Sequence, residues 1–232
     1  MKFSYQILFI MFAGFTMFSC NSQPTINKDL KKELDAILFT DQAFRRQYDP
    51  EMLEKERRGI ADSLNMDYNT MQKDLLVLMR KYDAENITKI ESIISRYGYP
   101  GKSLVGEPTN KAAFLVIQHS DKISKYLPLV KLAAEKKELP FRSYALMQDR
   151  HLMEKEELQI YGSQGLEMGG KAIIWPIKDP ENINKLRKQA EFSQTIEEYS
   201  KELFGKDFKY KVYTLAEVKE ILSLNKKQFL QN

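Results

Sequence analysis

The stretch KDLKKELDAILFTDQAFRRQ, residues 28–47, has the pattern of an amphipathic helix. Its apolar residues recur every three or four positions, a spacing that places them on one face of a helix with charged residues between them. These residues are Leu30, Leu34, Ile37, Leu38 and Phe44. A helix with one apolar face is stable when that face is buried, so the stretch predicts the first helix of a packed helical domain.

The same spacing predicts further helices along most of the chain. The residues after Pro50 continue as helix, and Gly98 and Pro100 end the fourth one because glycine suits the residue after a helix and proline cannot extend it. The predicted helices span residues 51–64, 69–81, 84–96, 111–121, 123–136, 141–153, 182–190, 193–204 and 214–229.

The pattern changes over residues 158–177. Residues 158–163 and 172–177 are short and contain β-branched and aromatic residues, and Gly165, Gly169 and Gly170 lie between them. This pattern predicts a two-stranded hairpin, and residues 209–213 predict a further short strand. The expected fold class is therefore mainly α, a helical domain with one small β-hairpin.

The N-terminus has the pattern of a targeting segment. Lys2 precedes an apolar run over residues 7–18, which is shorter than the roughly 20 residues of a membrane span. The run ends with Ser19 directly before Cys20, the single cysteine of the chain. We expect a signal peptide at residues 1–19, a tether at 20–28 and one helical domain at 29–232.

The sequence MFSC at residues 17–20 resembles the lipobox of bacterial lipoproteins, in which the signal peptide is cut before a cysteine that is then acylated. The alternative is an ordinary cleaved signal with a chance cysteine. The resemblance implies lipidation of Cys20 and attachment to the membrane through that lipid. Asn21 is not the acidic residue that retains lipoproteins at the inner membrane, so the implied location is the outer membrane, facing the periplasm.

Composition limits the class of protein. The chain has 232 residues, which fits one domain, and its 43% hydrophobic residues suffice for a core. The formal net charge of +4 is small, and basic residues alternate with acidic ones. This distribution excludes a nucleic-acid footprint, which would cluster Lys and Arg on one face. The sequence predicts no cofactor, since it contains no phosphate-binding glycine loop.

His119, Asp149 and Arg150 are the first candidate site residues. A histidine titrates near neutral pH, and His119 lies in line with an apolar helix face. It is therefore either a core histidine satisfied by a carboxylate or carbonyl, or a general base or ligand-binding group. Asp149 is predicted to orient His119, and Arg150 to hold an anion or carboxylate. With His151 these residues lack the spacing of metal ligands, so no metal site is predicted.

The polar residues of the predicted hairpin form the second candidate. Gln159, Tyr161 and Gln164 carry amide and phenol groups that both donate and accept hydrogen bonds, which suits binding of a neutral polar ligand. The alternative is that they satisfy neighbouring helix ends. Asp41 and Arg45, on the first helix, are interpreted as part of a solvated surface face.

Several motifs occur in an order that resembles a bacterial family known only as a domain of unknown function. They are Gln-His at residues 118–119, Asp-Arg at 149–150 and Gln-x-Tyr-Gly-Ser-Gln at 159–164. The resemblance covers about residues 30–200. The matched positions are Asp83, Asn86, Gly98, Pro100, Gly106, Gln118, His119, Asp149, Arg150, Gln159, Tyr161, Gly162, Gln164 and Arg187. The resemblance implies a shared site, with Arg187 as a further ligand-binding residue.

Three functions remain open from the sequence. The first is a lipid-anchored envelope protein that binds a polar ligand or partner in a pocket formed by His119, Asp149, Arg150 and the 159–164 hairpin. The second is a hydrolase or transferase in which His119 is the general base and Asp149 orients it. The third is an envelope scaffold protein that binds another envelope protein through its amphipathic helices.

Overall fold

The computed structural model describes residues 25–168 and 170–231. Within these ranges the chain forms eleven α-helices and one two-stranded sheet, so the mainly α fold with a small hairpin is confirmed. In chain order the elements are α1 (Lys28–Arg45), α2 (Glu54–Ser63), α3 (Tyr68–Lys73), α4 (Leu75–Tyr97), α5 (Lys102–Val105), α6 (Ala112–Gln118), α7 (Ile123–Glu135), α8 (Phe141–Glu154), β1 (Gly165–Met168), β2 (Lys171–Ile174), α9 (Ile183–Gln189), α10 (Ile196–Phe204) and α11 (Leu215–Gln231).

The predicted signal peptide at residues 1–19, the predicted lipidation site Cys20 and residues 21–24 of the tether lie outside the described residues. In the part of the chain that the structure describes, no helix combines the length and the apolar character needed to cross a membrane.

Helix α1 lies at the centre of the main core. Asn27 caps its N-terminus by accepting a hydrogen bond from the backbone N–H of Leu30 at 3.0 Å. Its apolar face is buried, with Leu34 fully enclosed, and packs against Ile90 and Ile93 of α4 and Ile117 of α6. Helices α7 and α8 complete this core, so the amphipathic pattern of residues 28–47 did identify a core-forming helix.

Helix α4 is one continuous helix of 23 residues, whereas the sequence pattern predicted separate helices at 69–81 and 84–96. The break falls earlier, at Asp74, whose φ of −104° and ψ of 15° leave helical geometry between α3 and α4. The predicted break falls at Tyr82 and Asp83, and neither residue is a glycine or proline that would interrupt the helix. Gly98 ends α4 with φ of 71°, a conformation that glycine adopts without strain.

The first strand of the hairpin lies later in the chain than the sequence predicted. β1 pairs with β2 in antiparallel register, from Gly165 opposite Ile174 to Met168 opposite Lys171. The predicted strand at 158–163 is wrong: Gln159 makes one isolated parallel bridge to Ile177, and the rest is irregular. The backbone N–H groups of Ile160, Tyr161 and Ser163 bond to the Asp149 side chain of α8 and are therefore not available for a strand ladder.

The predicted strand at 209–213 is also wrong, since these residues form no strand. Two consecutive residues of β2, Ile173 and Ile174, contact different parts of the C-terminal region. Ile174 packs with Ile183 and Ile196 on one side, and Ile173 packs with Trp175 and Val218 on the other. The end of the hairpin at Ile173 and Ile174 therefore packs against α9 and α10 on one side and α11 on the other, in keeping with the alternation of side chains along a strand, whereas Met168 and Lys171 are exposed.

Candidate functional site

His119 and Asp149, predicted to form one pair, bond to different partners. His119 follows the last residue of α6, and its Nδ1 lies 3.0 Å and 3.1 Å from the two carboxylate oxygens of Asp41 on α1. The predicted contact with Asp149 is therefore wrong. The His119 side chain is 15% exposed, and its Nε2 has no hydrogen-bond partner among the described residues.

The Asp41 carboxylate is fully buried, which contradicts its interpretation as a surface residue. It is balanced by more than the imidazole. Gln42 donates from Nε2 to Oδ2 at 2.6 Å, and Arg45 places Nη1 3.6 Å from Oδ1 while donating to the Asp41 backbone carbonyl. A carboxylate inside a protein requires such partners, because burial without them is unfavourable by several kcal/mol.

A sequence signal for Asp41 existed and was missed. The buried residues of α1 include Leu30, Leu34, Ile37, Asp41 and Phe44, which follow each other at steps of four, three, four and three. Asp41 thus occupies a position of the apolar face, where a charged residue needs a specific partner. That position, rather than a family motif, identifies the residue that holds His119.

Two residues of α4 extend the group around Asp41. Asp83 accepts a hydrogen bond from Arg45 at 2.9 Å, and Asn86 accepts one from the Thr40 hydroxyl at 3.1 Å. Both α4 residues therefore face the C-terminal half of α1. We call Asp41, Arg45, Asp83, Asn86 and His119 the His119 cluster.

The His119 cluster contains buried polar atoms that no described group satisfies. They are Oδ1 of Asp83 and Nδ2 of Asn86. Elsewhere among the described residues, the same is true of Nε2 of Gln47, Oδ1 of Asn110 and Nη2 of Arg187. The Asn86 side chain is completely buried. Because native proteins satisfy the great majority of buried polar atoms, unsatisfied ones indicate a place where another molecule can supply the bond.

Arg150 lies beside this cluster. Its Nη1 donates to the backbone carbonyl of Gln118 at 3.2 Å, next to His119, and the residue is partly exposed. Arg150, which was predicted to bind a ligand, thus contacts the end of α6 directly and lies near His119.

Asp149 has a different role in the structure. Its side chain is fully buried and accepts backbone N–H bonds of 2.8 to 3.1 Å from Ile160, Tyr161 and Ser163. Burial raises the pKa of the Asp149 carboxyl, and the three N–H groups oppose that rise. The carboxylate thus fixes the loop at 160–163 to α8.

Gln159 is also fully used by internal bonds. Its Nε2 donates to the carbonyls of Gln164 and Trp175 at 3.0 Å and 2.6 Å, and its Oε1 accepts from the Gln164 backbone N–H at 2.9 Å. Gln164 in turn donates its side-chain amide to the carbonyl of Leu146 at 3.4 Å. These contacts connect the loop to β2 and α8.

Arg187 binds the other side of the same loop. The buried guanidinium donates from Nη1 to the carbonyls of Tyr161 and Gly162 at 2.9 Å and 3.2 Å, and it lies 4.7 Å and 4.8 Å from the rings of Phe192 and Tyr199. Burial lowers the pKa of Arg187. We call Asp149, Gln159, Tyr161, Gln164 and Arg187 the Asp149 cluster.

The backbone conformation and the close packing at position 162 both require a glycine. Its φ is 65°, and a Cβ atom there would lie 2.7 Å from Ile196 and 3.0 Å from Ile177. The loop therefore approaches the C-terminal core too closely for a side chain.

Four surface grooves of about 380 to 470 Å³ are lined by other residues than those predicted for the site. The groove of about 390 Å³ lies between the end of α4 and the end of α7, at Tyr97, Leu104 and Leu132. Across the described residues, no group of three or more His, Cys, Asp or Glu side chains is placed to hold a metal ion.

The fold and the site define the chain as a mainly helical domain with a buried carboxylate–histidine pair. The chain belongs to the Family of unknown function (DUF6624), whose model matches residues 28–212. This range contains both clusters. Neither the curated proteins nor the solved structures include a significant match to the chain.

Proposed function

We propose that the chain is an envelope lipoprotein whose domain binds a polar ligand at the His119 cluster. One observation carries the proposal. The buried Asp41 carboxylate holds Nδ1 of His119, while Nε2, on a side chain that is 15% exposed, has no partner among the described residues. An imidazole held in this way presents one nitrogen to a ligand in a defined orientation.

The proposed site is smaller than the pocket expected from the sequence. Asp149 and Arg187 use their described hydrogen bonds to hold the 160–163 loop, and Gln159 uses its amide to bind Gln164 and the Trp175 carbonyl. Ligand binding is therefore assigned to His119 and its neighbours Arg45, Asp83, Asn86 and Arg150.

A hydrolase or transferase activity is the second candidate, and the Asp41–His119 contact favours it. A carboxylate at Nδ1 orients an imidazole and stabilises its protonated form, so that Nε2 can take a proton from a substrate hydroxyl or water. In this candidate His119 is the general base, and Asp41 takes the orienting role that the sequence had suggested for Asp149.

The binding proposal is tested by a melting-shift screen with polar envelope metabolites. The variants are His119→Ala and, as a matched control, His151→Ala, which changes the other histidine of the chain, on the exposed side of α8 beside Ser124. A ligand of the site raises the Tm of the wild type and of His151→Ala but not of His119→Ala. Equal shifts in all three proteins would remove His119 from the site.

Asp41→Asn separates binding from catalysis. Asparagine can still accept a hydrogen bond from Nδ1, but it does not carry the charge that stabilises an imidazolium. If the protein is an enzyme, kcat falls by a factor of about 100 or more while the ligand Kd changes little. Equal turnover by Asp41→Asn and wild type would leave binding as the function.

Lipid anchoring at Cys20 has its own test. We expect the full-length chain to fractionate with the outer membrane and Cys20→Ser to be released from membranes, since one residue carries the acyl chains. Cys20→Ser that remains in the membrane fraction would contradict anchoring through this cysteine.

A further inference from the structure

We propose that the ligand of the His119 cluster is neutral and carries hydroxyl groups, one of which binds between Asp83 and Asn86. The inference rests on the proposed function and specifies the class of ligand. A carbohydrate or another polyol has this chemistry.

The two unsatisfied atoms lie on the same face of α4. Asp83 and Asn86 are three residues apart, a spacing that brings side chains together on a helix surface. Asp83 uses Oδ2 to bind Arg45, and Asn86 places Oδ1 3.1 Å from the Thr40 hydroxyl, which also lies 3.0 Å from the Ile37 carbonyl. Because both partners belong to α1, the remaining atoms, Asp83 Oδ1 and Asn86 Nδ2, lie in the same α1–α4 interface.

The chemistry of these two atoms selects a hydroxyl group. Asp83 Oδ1 accepts and Asn86 Nδ2 donates, and no described group bonds to either atom. A hydroxyl both donates and accepts, so one hydroxyl satisfies both. An ammonium group only donates and leaves the Asn86 amide unsatisfied, whereas a carboxylate or phosphate only accepts and leaves Asp83 unsatisfied.

The charges nearby also disfavour an anion. The carboxylates of Asp41 and Asp83 flank the single guanidinium of Arg45, at 3.6 Å and 2.9 Å. These three side chains together carry one excess negative charge, and Arg150, the other guanidinium of the proposed site, lies beside His119. Like charge in a partly desolvated site repels an anionic ligand, and a neutral one avoids that repulsion.

The exposure of the cluster gives a direction of approach. The side chains of Asp83 and Arg45 are 19% and 21% exposed, whereas Asn86 is fully buried. Because Asp83 Oδ1 and Asn86 Nδ2 are both buried, a hydroxyl group reaches them when the side chains of Arg45 and Asp83 move aside, and the rest of the ligand lies outside, beside these two residues.

The test is a calorimetric and NMR titration of the folded, unlipidated protein with four sugars. D-glucose and N-acetylglucosamine are the neutral probes, glucuronate adds a carboxylate, and glucosamine adds an ammonium group. Saturable binding is required, because sugars at high concentration stabilise proteins by exclusion from their surface. The neutral probes should bind the wild type, with a shift of the Asn86 side-chain amide resonance.

Asp83→Asn is the decisive variant, since it keeps one oxygen for Arg45 and replaces the free acceptor. We expect binding of the neutral probes to weaken about tenfold or more, the size expected for losing a hydrogen bond to a charged group. Asn86→Leu, which removes the donor, should have a similar effect and serves if Asp83→Asn does not fold. The matched control is Glu91→Gln, which changes another acid of α4 that pairs with Lys125.

Each other outcome overturns the inference. Tighter binding of glucuronate that depends on His119 would retain the proposed site and replace a neutral ligand with an anionic one. Tighter binding of glucosamine would mean that Asn86 presents its oxygen. If no probe binds saturably, the two atoms hold a structural water only, and the screen with His119→Ala then decides the proposed function separately.

Discussion

The His119 cluster and the Asp149 cluster both bury polar side chains inside a helical domain, but they differ in how completely their carboxylates and amides are satisfied. Asp149 receives three backbone N–H groups, and Gln159 uses both ends of its amide. In the same cluster Nη2 of Arg187 is buried without a partner among the described residues. In the His119 cluster, by contrast, Asp83 and Asn86 each keep one buried atom without a described partner.

This difference separates architecture from function. A buried polar group that is fully bonded holds a loop in place and rigidifies it. A buried polar group that is only partly bonded lowers stability, and chains retain it where activity or binding requires it. Both clusters contain residues of the motifs singled out in the sequence, so such a motif alone does not distinguish a binding residue from one that holds the fold.

The largest effect is expected for Asp149→Ala. The substitution leaves the buried N–H groups of the 160–163 loop without an acceptor, so the free energy of unfolding should fall by about 3–5 kcal/mol. Urea unfolding followed by circular dichroism measures it. Asp121→Ala, at a side chain that is 81% exposed, is the control and should change stability by less than about 0.5 kcal/mol. If Asp149→Ala lowers the free energy of unfolding by a similarly small amount, the Asp149 cluster does not have the structural role assigned to it.

Two buried amides provide the sharpest test of the comparison. Gln159→Leu should lower the free energy of unfolding by about 2–3 kcal/mol, because it leaves the buried Trp175 carbonyl and other groups unpaired. Asn86→Leu should be neutral or raise it by about 1 kcal/mol, because an apolar side chain replaces a partly unsatisfied one. Equal losses in the two variants would mean that both clusters are structural.

His119→Ala should have a smaller effect on folding than on binding. Among the described residues, the imidazole ring hydrogen-bonds to Asp41 alone. In His119→Ala the Asp41 carboxylate loses this bond but keeps Gln42 and Arg45 as partners. We expect a loss of about 1 kcal/mol in urea unfolding. A loss of several kcal/mol would place His119 among the residues that hold the fold.

The smallest effect is expected for Glu91→Gln, and it depends on pH. The hydrogen bonds from Lys125 and Tyr126 lower the pKa of the Glu91 carboxyl below its ordinary value of 4.5. Because the folded pKa is the lower one, the contribution to stability is present above pH 4.5 and is lost as the pH falls through the folded pKa.

At pH 7 solvent screening limits the loss in Glu91→Gln to about 0.5 kcal/mol or less. The difference from wild type in urea unfolding should vanish as the pH falls below the folded pKa. A difference that is independent of pH would mean that the ion pair with Lys125 is not its source.

The sequence predicted the helices well because the spacing of apolar residues is a local property. It divided α4 in two because the break depends on the backbone at Asp74 and not on a helix-breaking residue. It placed the first strand at 158–163 because Ile160 and Tyr161 favour strands. The carboxylate of Asp149 on α8 captures their N–H groups, which is a tertiary contact that local pattern does not contain.

The candidate site was predicted in part for the same reason. His119 was identified, and the structure places Arg150 beside it, but the partner of His119 was assigned to Asp149. Asp41 lies 78 residues away in sequence, and its burial results from the packing of α1 against α4 and α6. The charged residue in the apolar face of α1 was the sequence signal for Asp41, but it does not show that His119 is the partner of Asp41.

The length of α4 has a consequence for motion. Asn86 is eleven residues from Leu75 and eleven from Tyr97, so it lies at the midpoint of the helix. Helix ends open by local fraying, whereas the centre of a packed helix exchanges its amide hydrogens only through larger openings. The backbone amide of Asn86 should therefore be among the slowest to exchange with deuterium, on the timescale of cooperative unfolding of the domain.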